Sequence, residues 1–315
     1  MDLFVAVTDG DWHELLSSTP GLDEANFWQP GGNTVFRALQ PGGLFLFKLH
    51  APRNVIVGGG FFAHASLYPV SLAWDAFGEK NGATTLEEMR RRIEKYRKQK
   101  PQPHDDYKIG CIILEEPFFF DREDWIPQPA DWHPNIVQGK GYDTSDVVGR
   151  RLWDDVQQRL ARRTARMTGT AAAPAASIAE PAARFGKPTI MTPRLGQGSF
   201  RVIVTDAFER RCAVTKERTL PALEAAHIRP YGQGGEHRVD NGLLLRRDLH
   251  ALFDRGYVTV TPEYKFEVSR RLKEDFENGR DYYALQGREL WLPMALAERP
   301  NSQYLHWHNR ERYLG

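Results

Sequence analysis

Residues 168–193 read TGTAAAPAASIAEPAARFGKPTIMTP, and no other stretch limits the fold as strongly. Alanine, proline and small polar residues dominate it, and apolar residues recur at neither helical nor strand spacing. Such a composition buries too little surface to offset the entropy of ordering, so it reads as a flexible linker. Joined to the arginine-rich residues before it, the linker spans 163–193. The chain must then build two separate cores, one in 1–162 and one in 194–315. With 315 residues, both segments are long enough to do so.

Composition narrows the class. Apolar content of 41% and charged content of 26% are those of a soluble globular protein. No run of 18 apolar residues occurs, and MDLFVAVTDGDW lacks a basic segment followed by an apolar one, which argues against a secreted or membrane-spanning chain. The two cysteines, Cys111 and Cys212, make neither a disulfide framework nor a CxxC zinc pair, and a reducing cytoplasm is expected. The net charge of +1 conceals an asymmetry: residues 1–160 carry 17 cationic against 23 anionic side chains, residues 194–315 carry 20 against 17. Most cations of the second segment are arginines, which suit bidentate phosphate and guanine contacts better than lysines.

The element pattern points to an α+β protein. GGLFLFKLHAPRNVIVGGGFFAHAS reads as short apolar strands punctuated by glycines and Pro52, and KIGCIILEEPFFF as another strand. Between them, Thr85 and Glu88 form a capping box, Leu86, Met89, Ile93 and Tyr96 recur at helical spacing, and Pro101 ends the helix. A second amphipathic helix starts near Ser145. These elements suggest a small β-barrel or curved sheet with inserted helices. After the linker, a helix is expected over Ser199–Arg211, short strands over 212–214 and 223–228, a polar loop over 231–240, a strand over 242–245 and a helix over 247–253.

That order brings chemistry with it. LEAAHIRPYGQGGEHRVDNGLLLRRDLHALFD places His227 at a strand end, Asn241 at the start of the next strand, and His250 in the helix that follows. The pattern AAHI…GG…DNGLLLR.DLH.LFD, with the upstream RLGQGSFR and RCAVTKE, resembles the HNH (ββα-metal) nuclease family over residues 194 to about 310. The resemblance implies that His227 is the general base toward water, that Asn241 holds the loop and orients His227, and that His250 binds one divalent cation. Mg²⁺ is expected first, with Mn²⁺, Ni²⁺ or Co²⁺ as alternatives. The family commonly places a second ligand directly before the base, where this chain has Ala226. Asp254, one helical turn beyond His250, is the first replacement to consider, then Glu224, two residues before Ala226, with Asp248 behind both. Catalytic His227, Asn241 and His250 thus share the site with metal candidates His250, Asp254 and Glu224. Arg194, Arg201, Arg229 and His237 are candidates for contact with DNA phosphate, His237 otherwise being solvated. His306 and His308 alternate in YLHWHNRERY without carboxylate or cysteine company, which argues against a second metal site.

The first segment resembles the PUA-like superfamily that includes EVE, ASCH and SRA domains, through FWQPGG…LFLFKLHAPRNVIVGGGFFAHASLYPVSLAWDAFG. Some of its members flip out a modified base, which implies an aromatic pocket for which Trp28, Phe61, Tyr68 and Trp74 are candidates, unless they serve the core. The resulting expectation is a cytoplasmic restriction endonuclease acting on double-stranded DNA with methylated or hydroxymethylated cytosine, without membrane attachment and compatible with a homodimer. The alternative is an HNH-fold protein that binds nucleic acid but has lost catalysis.

Overall fold

The computed structural model describes residues 2–102, 104–168 and 195–315, and the chain divides into two compact units, Met1–Pro193 and Arg194–Gly315. Residues 163–168, assigned to the linker on composition, continue a helix; the rest of that linker lies outside the described residues. No helix among the described residues is long and apolar enough to cross a membrane.

The first unit is built on β1 (Asp2–Thr8), β2 (Glu24–Gln29), β3 (Leu44–Leu49), β4 (Val55–Pro69), β5 (Lys108–Phe119), β6 (Ile126–Pro127) and β7 (Gly139–Asp143). Hydrogen bonding runs in the order β2-β5-β4-β3-β1-β7, with β6 beside β4; β1 and β3 are parallel and the other pairs antiparallel. Strand β3, LFLFKL, is buried at every position because both sheet faces are covered. Its Leu44 and Leu46 face a core shared with Leu3, Val5 and Ile56. Phe45 and Phe47 face the other core, shared with Phe27 and Val57. The period of two that carries side chains to alternate faces sorts them.

Four helices complete the unit: α1 (Gly10–Ser17), α2 (Val70–Phe77), α3 (Leu86–Tyr96) and α4 (Val147–Thr168). Trp12 and Leu16 of α1 enter the core of Phe45 and Phe47, while Leu152 and Val156 of α4 enter the opposite one. The expected cap of α3 is present with one change. Thr85 accepts from the Glu88 amide, but the Glu88 carboxylate reaches back to the Thr84 amide and hydroxyl. The interruption expected at Gly58-Gly59-Gly60 does not occur. Strand β4 passes through it for 15 residues. The glycines serve close approach, since a Cβ at Gly58 would stand 2.2 Å from the Phe118 carbonyl oxygen.

In the second unit, α5 (Gln197–Ala207) packs Phe200 and Val204 on the hairpin of β8 (Leu223–His227) and β9 (Gly242–Arg246), and α6 (Arg247–Asp254) follows. β10 (Val258–Val260) and β11 (Phe266–Val268) form a second hairpin, with α7 (Arg271–Phe276), α8 (Arg280–Tyr283) and α9 (Ser302–Glu311) around it. The strand expected at 212–214 is a turn. Cys212 and Glu217 close it through their backbone, and the amide and carbonyl of Ala213 bond to Leu244 and Trp291 separately, so no ladder forms. His308 is structural: it stacks on Phe253 at 3.8 Å, meets the Thr259 hydroxyl at 2.8 Å, and donates to the Phe253 carbonyl at 3.1 Å.

Candidate active site

The β8–β9 hairpin and α6 bring the three residues of the motif into one small region. His227 pairs in register with Gly242, directly after Asn241, and His250 lies one turn into α6. Asn241 is fully buried and spends its whole amide on the intervening loop. Its Oδ1 accepts from the Arg229 amide, and its Nδ2 donates to the carbonyls of Arg229 and Glu236, each at 2.9 Å. An amide suits this place because it offers donor and acceptor together. Gly235 makes the closure possible, since a Cβ there would stand 1.9 Å from the Arg229 carbonyl oxygen.

His227 lies under the face of Phe200, with centroids 3.8 Å apart and planes within 10°. Its Nε2 is 2.9 Å from Nδ1 of His237, whose ring is in turn covered by Tyr231 at 4.9 Å. Burial, with the rings of His237 and His250 nearby, pushes the His227 pKa down to about 4. The imidazole is therefore neutral at ordinary pH and has a lone pair to offer, as a general base requires. His237, read from sequence as solvated or as a phosphate contact, is placed against His227. Phe200 and Tyr231 carry no sequence signal for this role, because the stack forms only when α5 and the loop meet the hairpin.

His250 has a carboxylate at each ring nitrogen. Nδ1 is 2.9 Å from Glu224, whose other oxygen meets Arg247 at 3.1 Å, and Nε2 is 3.3 Å from Asp254. To hold a cation the imidazole must keep one nitrogen unprotonated; the shorter contact, to Glu224, places the N–H at Nδ1 and leaves Nε2, on the Asp254 side, for the cation. Imidazole plus carboxylate is a donor set that fits a divalent first-row cation or Mg²⁺, with the second carboxylate orienting the histidine. Ala226 is fully buried in the apolar core and offers no ligand atom. Asp248 is engaged by Arg246. Among the described residues, the group of three whose ligand atoms all lie within 4.8 Å is elsewhere: Asp121, Glu123 and Asp124, tied to Arg166.

The cations expected at phosphate divide. Arg229 bonds the Gln233 carbonyl and lies 5.5 Å from the Trp307 ring, which makes it a buttress of the loop. Arg201 is on α5. Arg194 lies outside the described residues. In the first unit, Trp28 on β2 donates to the Asn81 carbonyl, Phe61 on β4 packs against the core that α4 enters, Tyr68 is buried near the end of β4, and Trp74 is on α2. A cavity of about 560 Å³ in that unit has other walls, Phe119 and Trp125 with His13, and both aspartates (Asp121, Asp124) and arginines (Arg122, Arg159, Arg163) line it too.

Among solved structures, the chain is similar to ASCH from Zymomonas mobilis at 9% identity, covering 51% of this chain and 94% of that one with a TM-score of 0.34. It is also similar to the modification-dependent TagI restriction endonuclease at 13% identity, covering 98% and 81% with a TM-score of 0.27. No curated protein matches the sequence. Residues 212–261, which contain the β8–β9 hairpin, its loop and α6, match the family model of HNH endonucleases. The second unit thus carries an HNH endonuclease domain, which supports a nuclease.

Proposed function

We propose that the protein is a metal-dependent DNA endonuclease of the restriction type, in which the first unit selects DNA carrying a modified cytosine and the second cuts it. The observation that carries the nuclease chemistry is the convergence of His227, Asn241 and His250 in one hairpin–helix, with Glu224 and Asp254 flanking His250. His227 accepts the proton of the attacking water. Asn241 keeps the loop closed over it. His250 and Asp254 are the residues that would hold the cation, with Glu224 orienting His250 through Nδ1. A divalent ion bound there would supply Lewis-acid stabilisation of charge on the departing oxygen.

Selection of a modified base draws its support from the cavity of the first unit that has Phe119, Phe120 and Trp125 among its walls, which offer faces for stacking. A cleavage assay on matched plasmids with and without cytosine modification, across Mg²⁺, Mn²⁺, Ni²⁺ and Co²⁺, tests both parts. Faster cutting of the modified plasmid is expected, with full loss in EDTA. Equal rates would remove the selectivity and leave the nuclease. Binding without cleavage in every metal would support the catalytically silent alternative.

A further inference from the structure

Where two imidazoles meet in a hydrogen bond, one nitrogen donates the proton and the other accepts it, so the 2.9 Å contact between His227 Nε2 and His237 Nδ1 has two possible forms. In one, His237 donates and the proton of His227 is left on Nδ1, where no lone pair remains to accept from water. In the other, His227 donates from Nε2 and its Nδ1 lone pair is free. Only the second form is a base. Catalytic histidines usually have this choice made for them by a carbonyl or carboxylate at the other nitrogen.

We propose that His237 makes that choice here: as a positioning residue it accepts from His227 Nε2–H, leaving His227 Nδ1 as the atom that takes the proton of the attacking water. This rests on the reading of His227 as the general base. The surroundings fit an acceptor held in place rather than a mobile surface histidine. Tyr231 stacks on the outer face of His237 within 12° of parallel, and Phe200 fixes the plane of His227. The loop is pinned on both sides of His237, by Leu195 donating to its carbonyl and by Asn241 donating to the carbonyl of Glu236. In the step itself, the water O–H bond breaks toward Nδ1 as its oxygen bonds to phosphorus. The P–O bond to the leaving sugar oxygen breaks with its electron pair on that oxygen, which takes a proton from solvent. The imidazolium left on His227 keeps its Nε2–H bond to His237, which spreads the new charge.

The test has one readout that needs no cleavage. Long-range ¹H–¹⁵N spectra of the histidines in the full chain are expected to show His227 as the Nε2–H tautomer; an Nδ1–H tautomer overturns the proposal. In steady-state cleavage, His237→Asn keeps an acceptor oxygen where Nδ1 stands and is expected to retain most of kcat. His237→Ala is expected to lose about 10- to 100-fold in kcat with KM for DNA unchanged. A KM increase with kcat intact would make His237 a phosphate contact and sink the idea, as would equal losses in the Asn and Ala variants. Failure of the wild-type chain to cut any DNA would instead defeat the nuclease reading, with the tautomer still measurable.

Discussion

At the residue scale, two histidines of the second unit are held neutral by burial for different ends. His227 has its pKa pushed down to about 4, chiefly by desolvation. Its proton-accepting form therefore persists well below the ordinary histidine range, and the acid limb of kcat/KM is expected near pH 4 to 5 rather than near 6.5. A pH–rate profile checks this, and a limb at 6.5 would show His227 in contact with solvent. His227→Ala is expected to cut kcat by about 10²- to 10⁴-fold, the usual share of a general base. His308 is also pushed down to about 4, with burial as the main cause. Because its folded pKa lies below the unfolded one, its contribution to stability is full above about pH 6.5. It is lost as pH falls from there toward 4, by up to about 3 kcal/mol. Urea unfolding at pH 7 and pH 4.5 measures the loss, and His308→Gln is expected to flatten it.

At the element scale, the loop between β8 and β9 depends on one close approach. Gly235→Ala would press a methyl against the Arg229 carbonyl at 1.9 Å and against the Asn241 amide at 3.0 Å. We expect a loss of about 1–3 kcal/mol and a fall in kcat, since the displaced loop carries His237. Chemical denaturation and cleavage of the same sample read both. Helix α6 gives a second prediction. Asp254→Asn is expected to weaken cation binding by calorimetry about 10- to 100-fold, and Glu224→Gln less, if Glu224 orients His250 rather than coordinating. A larger loss from Glu224→Gln would exchange the two roles. These elements also show what patterning can convey. The α3 cap, the β8–β9 hairpin and α6 announce themselves through local spacing. The turn at 212–214 does not, because Cys-Ala-Val has strand composition and its backbone bonds go to Leu244 and Trp291, distant in sequence.

For the whole molecule, each unit buries its own apolar residues: in the first, two cores on the two faces of β3, one of them holding Phe45 and Phe47, and in the second, the core of Phe200 and Phe253. Phe45→Ala is expected to cost about 3–5 kcal/mol in the first unit and leave the unfolding transition of the second in place. Calorimetry of the full chain reads the two transitions, and a common shift of both would mean that the units unfold together. The residues carrying the HNH pattern were legible in the sequence because hairpin, loop and helix are contiguous, so sequence spacing is nearly spatial spacing. The same contiguity brought forward Asp254, one helical turn beyond His250, and Glu224, two residues before Ala226, while the contact of Glu224 with His250 appears only in the fold. Other features were settled only by the tertiary structure: the ring stack of Phe200, His227, His237 and Tyr231, the opposition of Glu224 and Asp254 across the His250 ring, and the cavity walled by His13, Phe119 and Trp125. Each depends on which face or atom a side chain presents once distant segments pack together, and neither residue type nor spacing along the chain encodes that.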